Sequence, residues 1–484
     1  MITKNVDILV VGAGPVGLMC TYLAHFCGMT VLACDRTSKP IEVGRADALN
    51  ARTLQLLELV DLFHVLYPLG KTCNTSSIFQ DGKFVSRQST WWTALEGCFH
   101  KHFLMLGQAY VEQCLNEKAQ PYVLRETDVK DVVVEKSSCT VWLSNGDVVK
   151  AKYIIGADGS RSFVREFFNI PFHLIRPKII WAVIDGVIDS DFPKVPEIIV
   201  FQNETSDVAW IPRERNIDRF YIRMDKTEFS QDEVLSKINQ SIAPYTLRFK
   251  TVEWFSQFNV KEAIAEHFCV HDRVFLAGDA CHVHAMNGGQ GLNTGLADAF
   301  NLIWKINMVL KHDFNKMLLS SYEIERKKVA SSVVSSSGEL LRATKYSITG
   351  THTRDYVDLI EKRAGNITGM GIRYGKEGLI GQRVFDFELH DVDKTIRLYS
   401  LLKYGEYTLL LVSSCQLSVK IPHFVRYLFV DNQEKNNRYW STSCIYKDTI
   451  LLIRPDAYIA WFQPIDKKTK NIDLTFFFDR AYLN

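Results

Sequence analysis

The sequence predicts a mixed α/β protein with a large parallel-sheet unit, an antiparallel sheet inserted into it and a smaller α/β unit at the end. Three observations support this fold class. A strand, a glycine-rich turn, a helix and a second strand fill residues 6–35. A second strand–glycine–helix pattern begins at residue 274, and short β-prone segments separated by Pro, Asp and Asn occupy residues 179–268.

Length and composition limit the possible functions. A chain of 484 residues is expected to form two or three packed units. A net charge of +2 provides no strong field for nucleic acid or an anionic membrane, and no apolar stretch reaches transmembrane length without charges. The eleven cysteines are dispersed, without a C-x-x-C pair or metal-ligand spacing, which favours a reducing cytoplasm and predicts neither disulfides nor a metal site.

The amino-terminal pattern is typical of a dinucleotide site. The string G-x-G-x-x-G at residues 12–17 follows a strand, opens a helix and precedes Asp35 by about twenty positions. We expect Gly12 to permit the tight turn, Gly14 to let a pyrophosphate approach the backbone, and Gly17 to let helix and strand pack closely. Asp35 would accept hydrogen bonds from the adenosine ribose. This unit alone does not distinguish FAD from NAD.

The segment Gly44-Arg45-Ala46-Asp47-Ala48-Leu49 contains two candidate site residues ahead of a helix. Arg45 is suited to bidentate contact with a pyrophosphate, and the alternative is a solvated surface arginine. Asp47 is a candidate base or hydrogen-bond partner for a substrate hydroxyl. Its alternative role is to cap the helix that follows.

The stretch from residue 274 to residue 310 predicts a buried strand, Gly278-Asp279, a loop and a long helix with one apolar face. The helix begins at Gly289-Gln290-Gly291-Leu292-Asn293, where free N–H groups and the helix dipole favour negative charge. The carboxylate of Asp279 is suited to a polyhydroxyl chain. The alternative is a glycine loop before an ordinary core helix.

Two further segments carry candidate residues. A strand at residues 153–155 leads into Gly156-Ala157-Asp158-Gly159, where Asp158 could also cap the following helix. Within the β-rich stretch, Arg213 and Tyr221 lie eight positions apart in Ile-Pro-Arg-Glu and Arg-Phe-Tyr segments. Taken alone, Arg213 is an ordinary surface charge and Tyr221 an ordinary strand tyrosine.

Together these strings resemble the class A flavoprotein aromatic hydroxylases, most closely the phenol 2-monooxygenase (phenol hydroxylase) group, over nearly the whole chain. The resemblance implies FAD as the cofactor, with Asp279 on the ribityl chain, and adds Gln108 as an FAD contact. The implied FAD contacts are Gly12, Gly14, Pro15, Val16, Gly17, Asp35, Arg36, Gly44, Arg45, Ala46, Gln108, Asp158, Asp279, Gly289, Gln290, Gly291, Leu292 and Asn293.

The resemblance also implies a reaction. NADPH or NADH reduces FAD, O2 adds at the flavin C4a atom, and the hydroperoxide transfers oxygen to a phenolic ring. Asp47, Tyr221 and Arg213 would activate and orient the phenol. Met286 stands where this family usually has proline, so it would alter the substrate pocket. The alternatives are a hydroxylase that modifies or inactivates a larger phenolic natural product or antibiotic, and a flavin-binding protein without turnover.

The predicted organisation has five segments. Residues 1–178 and 269–350 form a Rossmann-like FAD-binding domain, residues 179–268 a substrate-binding antiparallel sheet, and residues 351–378 a connection. Residues 379–484 include an expected helix at residues 395–404 and strands at 407–412 and 449–453. The resemblance implies a thioredoxin-like domain here, with a role in packing or dimerisation, so a homodimer is among the expected assemblies. Without a C-x-x-C pair, thiol redox chemistry is not expected.

Overall fold

The computed structural model describes most of the chain. The described residues are 3–93, 95–174, 179–202, 207–260, 262–284, 289–342, 353–375, 378–392, 394–433, 437–466, 469, 471–475 and 477–478. Met286 lies outside the described residues.

An eight-stranded, mainly parallel sheet forms the centre of the first unit. Its principal strands, in spatial order, are Cys269–Val270, Val274–Leu276, Val148–Gly156, Thr3–Val11, Val31–Cys34 and Val123–Leu124. The antiparallel strands Val129–Val134 and Cys139–Leu143 extend from Val148–Gly156. The predicted strands of residues 6–35 and 274–277 are thus confirmed. Thr3–Val11 pairs in parallel with Val31–Cys34 and with Val148–Gly156, and Val148–Gly156 pairs in parallel with Val274–Leu276. Their apolar, buried sequences are typical of parallel strands.

Helices cover this sheet. Helix Pro15–Phe26 follows the first strand, and the long helix Gln290–Lys311 is buried over most of its length, as its apolar spacing predicted. The other α-helices are Ala51–Glu58, Phe63–Leu66, Thr90–Thr93, Gln108–Ala119, Phe163–Phe167, Gln231–Ile242, Met317–Arg342 and Thr353–Ile367. Short 3-10 turns lie at Tyr67–Leu69, Gln120–Tyr122, Glu214–Asn216, Gly278–Ala280 and Leu398–Ser400.

A seven-stranded sheet, here called the lid sheet, corresponds to the predicted antiparallel insertion. Its order is Leu247–Val260, Ile179–Ser190, Asp218–Met224, Asp207–Pro212, Ile198–Gln202, Ser76–Gln80 and Lys83–Gln88. The last two strands come from the first part of the chain, and Ser76–Gln80 pairs in parallel with Ile198–Gln202. A separate apolar cluster, which includes Ile184, Trp210 and Phe220, lies between this sheet and helix Gln231–Ile242.

The carboxy-terminal unit is also built on a seven-stranded sheet. Its order is Lys394–Arg397, Glu388–Asp391, Tyr439–Trp440, Val425–Asp431, Tyr407–Ser413, Thr449–Ile453 and Ile459–Pro464. The strands predicted near residues 407 and 449 are confirmed. The helix predicted at residues 395–404 is wrong, because Lys394–Arg397 pairs as a strand with Glu388–Asp391. The spacing of Leu398, Leu401 and Leu402 suits one face of a helix, which led to that prediction, but these side chains pack against the core of the sheet.

Three small sheets complete the structure. They comprise Phe172–Leu174, Ala263–Ala265 and His282–Val283; Ala48–Leu49, Phe103–Met105 and Lys71–Cys73; and Ser418–Lys420 with Asn471–Asp473. One apolar core continues from the parallel sheet through helix Gln290–Lys311 into the carboxy-terminal sheet. In the described parts of the chain, no helix combines the length and apolar character needed to cross a membrane.

Candidate active site

A cavity of about 1240 Å³ lies between the edge of the parallel sheet and the lid sheet. One part is lined by the glycine turns of the first unit, including Gly12, Gly14 and Asp279, and the other by Tyr221 and Trp254 of the lid sheet. Pockets for drug-sized ligands have volumes of about 300–1,000 Å³, so this space is large enough for a dinucleotide together with a second molecule.

The first glycine turn has the predicted geometry. Gly12 has φ +101°, and a Cβ there would lie 2.4 Å from the Ala157 carbonyl oxygen; a Cβ at Gly17 would lie 1.9 Å from that of Gly12. A Cβ at Gly14, by contrast, would meet no atom of the described residues within 4 Å. Gly12 and Gly17 are therefore required for packing, whereas Gly14 leaves space beside the backbone for a ligand.

Asp35 lies at the end of the second strand and lines the cavity. Its carboxylate accepts hydrogen bonds from the amides of Ala13 (2.6 Å) and Thr37 (2.7 Å). These bonds tie the glycine turn to the second strand. Each carboxylate oxygen has further acceptor capacity, so contact with a ribose remains a prediction.

The loop at residues 44–47 brings Arg45, Ala46 and Asp47 to the cavity. Gly44 itself does not line it: this residue has φ +80°, and its α-carbon packs so closely under Trp254 that a Cβ would approach the indole to 2.5 Å. Gln108 lines the cavity and accepts a 3.4 Å hydrogen bond from the amide of Ala46. The predicted FAD contacts Pro15, Val16 and Arg36 also line the cavity.

Asp279 projects into the cavity from the 3-10 turn Gly278–Ala280. The residue is accessible at the cavity surface, while the surrounding protein still removes much of the water around its carboxyl group. This desolvation raises the pKa of the Asp279 carboxyl, although His282 and Arg45 oppose the shift. A carboxylate in this environment is a strong acceptor for hydroxyl groups.

Helix Gln290–Lys311 begins at the cavity wall, with Gly289 in the left-handed conformation (φ +61°) as its N-cap. Gln290 is 2% exposed and lines the cavity, and among the described residues neither its amide oxygen nor its amide nitrogen has a hydrogen-bond partner. Gly291 and Leu292 line the cavity as well. Asn293 does not; its side chain instead bonds the backbone of Asn50 and Ala48, joining this helix to the loop that carries Asp47.

A buried polar network supports the Asp279 turn from behind. Asp298 accepts hydrogen bonds from the amide of Gly278 (3.0 Å), from Arg326 Nε (2.6 Å) and from the His282 ring (2.7 Å). Cys281 lies close enough to complete a metal-like trio with His282 and Asp298. Arg326 already neutralises the charge of Asp298. We therefore interpret the network as a support for the turn Gly278–Ala280 rather than as a cation site.

Asp158 follows the strand Val148–Gly156 and lines the cavity. It accepts hydrogen bonds from the Ser162 hydroxyl (2.5 Å) and the amide of Val164 (3.1 Å) at the start of helix Phe163–Phe167. The N-cap of this helix is Ser162, whose hydroxyl oxygen accepts from the amide of Arg165, so Asp158 is a second acceptor at the helix start and stays at the cavity surface.

Asp47 and Tyr221 meet at the lid-sheet side of the cavity. The Tyr221 hydroxyl lies 3.0 Å from Asp47 Oδ2 and 3.1 Å from Arg219 Nη1. Because a guanidinium only donates, Tyr221 accepts from Arg219 and directs its own proton to Asp47. Asp47 is not the cap of the following helix, since the side chain of Asn50 accepts from the amide of Thr53 in that role.

Arg213, predicted beside the substrate, does not line the described cavity wall. Its guanidinium is 4% exposed and is held by Glu214 (2.7 and 3.0 Å) and by Asp185 (3.3 Å). Of the arginines in the Ile-Pro-Arg-Glu and Arg-Phe-Tyr segments, Arg219 is the one that lines the cavity. The sequence contained a signal for it, because residues two apart on a strand share a face and Arg219 precedes Tyr221 by two.

The lid sheet also contributes Val183, Trp254, Ser256 and Gln257, which the sequence analysis did not single out. Strand pairing explains their position. Val183 is opposite both Tyr221 and Ser256, and Trp254 and Arg219 are the two residues opposite Asp185. Such non-local registers cannot be read from one strand at a time.

The residues present fit FAD. The open space at Gly14, the unpartnered Gln290 amide and the inward carboxylate of Asp279 offer room for a pyrophosphate, a polar partner for a flavin ring and an acceptor for a ribityl chain. The wall formed by Asp47, Tyr221 and Arg219 belongs to the same cavity.

Comparison with known families gives two matches in tandem. A model of the FAD binding domain matches residues 5–337, and one of the aromatic-ring hydroxylase carboxy-terminal domain matches residues 377–480. These ranges include every described cavity residue named above.

Individual relatives of this chain are named as monooxygenases or hydroxylases. Phenol 2-monooxygenase fsqG of Aspergillus fumigatus is 29% identical over 350 residues, 69% of this chain and 60% of its own length. Rifampicin monooxygenase of Streptomyces venezuelae is 26% identical over 94% of this chain and 95% of its own length. The anhydrotetracycline hydroxylase OxyS of Streptomyces rimosus is 24% identical and superposes with a TM-score of 0.78 over 95% and 96% of the two chains. This chain spans 53–61% of the length of the first three curated relatives.

Proposed function

The chain belongs to the FAD-dependent aromatic-ring hydroxylases, and from this premise we propose that it hydroxylates a phenolic ring with NAD(P)H and O2. The observation that carries the proposal is the continuity of the cavity. A cradle suited to FAD and a wall bearing Asp47, Tyr221 and Arg219 enclose one space. A bound aromatic molecule would therefore meet both the cofactor and a set of groups able to handle its hydroxyl proton.

FAD, when bound, supplies the redox and oxygen chemistry, and the protein supplies orientation and electrostatics. Asp279, Arg45, Gln108 and the Gln290 end of the long helix would hold the cofactor. The glycine turns let its phosphates approach backbone N–H groups. The substrate machinery is then what this chain contributes to the reaction itself.

Asp47 is the base in this proposal. Burial raises the pKa of Tyr221, although Arg219 opposes the shift, so its hydroxyl stays protonated and acts as a donor. Arg219 cannot accept a proton. Of the three side chains, only the Asp47 carboxylate can take the phenol proton, which makes the ring carbon beside the oxygen more nucleophilic. Arg219 stabilises the negative charge that develops on that oxygen.

A larger phenolic natural product is the second candidate substrate. Rifampicin monooxygenase matches this chain over 95% of its own length, whereas phenol 2-monooxygenase fsqG is covered over only 60%. A tailoring or inactivating hydroxylase therefore belongs beside a phenol hydroxylase in the proposal.

The carboxy-terminal unit is proposed as a thioredoxin-like packing or dimerisation domain in a cytoplasmic enzyme. Its central strands form a parallel pair, Val425–Asp431 with Tyr407–Ser413, followed by the antiparallel strands Thr449–Ile453 and Ile459–Pro464. This strand order supports the thioredoxin-like assignment, whereas the described part of residues 378–466 contains strands and a 3-10 turn but no α-helix. The sequence of this unit contains no C-x-x-C pair, which argues against thiol redox chemistry.

The decisive experiment uses FAD-loaded protein with NADPH or NADH and a panel from simple phenols to polycyclic ones. We expect a phenol to stimulate NAD(P)H consumption and to acquire one atom from isotopically labelled O2, detected by mass spectrometry. As a control, Asp279→Ala should lose bound FAD yet remain folded by circular dichroism. Consumption that no phenol stimulates, with no labelled product, would contradict the proposal.

A further inference from the structure

Asp185 is a buried carboxylate at the centre of a row of charges behind the cavity wall. It is 3% exposed and accepts hydrogen bonds from Arg219 Nε and Nη2, both at 2.6 Å. Arg213 Nη1 lies 3.3 Å from the same carboxylate. Asp185 does not line the cavity, and Arg219 lies between it and the candidate base Asp47.

Strand pairing explains this arrangement. Asp185 stands directly opposite Arg219, and Val183 opposite Tyr221, on the paired strands Ile179–Ser190 and Asp218–Met224. With two guanidinium nitrogens held by Asp185, the third, Nη1, is directed to the Tyr221 hydroxyl at 3.1 Å and to the backbone carbonyl of Arg45. The same nitrogen lies 3.5 Å from Asp47 Oδ2. Asp185 thus fixes the orientation of the cation that faces the candidate base.

The row also has a defined charge balance. Going outward from the cavity it contains Asp47, Arg219, Asp185, Arg213 and Glu214, that is, three carboxylates and two guanidiniums. The neighbouring strand contributes Trp254, an uncharged ring 5.1 Å from the Arg219 guanidinium. The negative charge of Asp185 offsets part of the positive charge with which Arg219 acts on the cavity. The positive charge of Arg213 in turn offsets part of the negative charge of Asp185.

We propose that Asp185 is a positioning residue that controls how strongly Arg219 stabilises the ionised form of a phenol bound beside Tyr221 and Asp47. The inference rests on the proposed function and extends it to a residue outside the cavity. An alternative role would be purely structural, as an ion pair that joins two strands of the lid sheet.

The test compares matched substitutions in FAD-loaded protein, with a nitrophenol as the probe because its phenolate absorbs visible light. Asp185→Asn removes the charge but little volume, and Asp185→Glu keeps the charge. The control is Asp218→Asn, on the same sheet next to Arg219: Asp218 is 1% exposed and bonds Trp210 and Lys194 on the opposite face. Arg213→Gln removes the cation on the outer side of Asp185.

We expect Asp185→Asn to lower the pKa of the bound nitrophenol by about one unit, because a negative charge near a cation is lost. Arg213→Gln should shift that pKa upward, since Asp185 then neutralises Arg219 more fully. Asp185→Glu and Asp218→Asn should stay near wild type. Opposite shifts from two neighbouring sites cannot arise from general loosening of the sheet.

Turnover provides the second measurement. With a phenol that wild type hydroxylates, Arg213→Gln should form less product and more hydrogen peroxide per NAD(P)H, because less of the bound phenol is ionised, and Asp218→Asn should not. Equal nitrophenol pKa values in wild type and both Asp185→Asn and Arg213→Gln, or equal shifts in Asp218→Asn, overturn the inference while the proposed function stands. If Asp185→Asn does not retain FAD, the Arg213→Gln shift decides. Wild type that neither binds nor hydroxylates any phenol overturns both.

Discussion

At the scale of single residues, the direction of the hydrogen bonds assigns the roles. Tyr221 receives a hydrogen bond from Arg219 and gives one to Asp47, so the chain of donors ends on the Asp47 carboxylate. The sequence identified Asp47 and Tyr221 as candidates, and the structure brings them together at 3.0 Å across 174 positions. The sequence analysis named Arg213 instead of Arg219, although the spacing of Arg219 and Tyr221 carried a signal. Arg213 is held away from the cavity by Glu214 and Asp185, which only the folded structure reveals.

Substitution of these two residues should separate cofactor reduction from hydroxylation. Asp47→Asn removes the base with little change in size, and Tyr221→Phe removes one hydroxyl. Each variant should retain FAD but form less hydroxylated product per NAD(P)H, because lost proton-transfer assistance slows a step by about 10²–10⁴-fold. The shortfall should appear as hydrogen peroxide, which a peroxidase-coupled assay measures beside the product. Unchanged product yield in both variants would return these residues to structural roles.

At the scale of elements, the glycine turn after the first strand was readable from sequence because its constraints are local. The spacing of Gly12, Gly14 and Gly17 specified both the turn and the helix that begins at Pro15. Residues 395–404 show the limit of local patterns. Their apolar spacing suits a helix, but pairing with Glu388–Asp391 makes Lys394–Arg397 a strand. Tertiary context decided between two periodicities there.

The three glycines should respond differently to the same added methyl group. Gly17→Ala would place Cβ 1.9 Å from the Gly12 carbonyl oxygen, so it should lower the melting temperature of flavin-free protein. Gly14→Ala meets open space in the protein and should leave that temperature unchanged. It should nevertheless weaken the binding of FAD by about tenfold or more, which corresponds to a loss of about 1.4 kcal/mol of binding free energy. Fluorescence titration with FAD measures this, and equal FAD affinity in Gly14→Ala and wild type would place the pyrophosphate elsewhere.

At the scale of the whole molecule, the sequence predicted the order of the units but not how they join. Strands Ser76–Gln80 and Lys83–Gln88, assigned by sequence to the first FAD-binding segment, pair with the lid sheet. The carboxy-terminal unit is tied to the helices of the first unit by buried ions. Arg454 bonds Glu325 at 2.7 and 3.0 Å, and Lys305 lies 2.9 Å from Glu325. Contacts between positions more than a hundred residues apart leave no periodic trace in a single sequence.

Glu325 is the anion on which this junction depends, and its replacement tests the junction directly. Burial acts to raise the pKa of Glu325, but Arg454 and Lys305 outweigh it and hold that pKa well below the ordinary 4.5. Glu325→Gln would leave two buried cations with less compensation, which typically costs about 3–5 kcal/mol of unfolding free energy. Burial also lowers the pKa of Lys305 to about 8, although Glu325 opposes the shift, so its charge is sensitive to this partner.

The pH dependence follows from the sign of the Glu325 shift. A carboxyl whose pKa is depressed on folding contributes its full stabilisation above the unfolded value near 4.5, and the contribution falls as the pH drops toward the folded value. The difference in unfolding free energy between wild type and Glu325→Gln should therefore be largest near neutrality and shrink below about pH 4.5. Urea unfolding of FAD-loaded protein at several pH values measures it. The control is Glu406→Gln, whose partly exposed pair with Lys403 should contribute less than about 1 kcal/mol. A loss in Glu325→Gln no greater than in this control would show that apolar packing along helix Gln290–Lys311, rather than the buried ions, holds the carboxy-terminal unit in place.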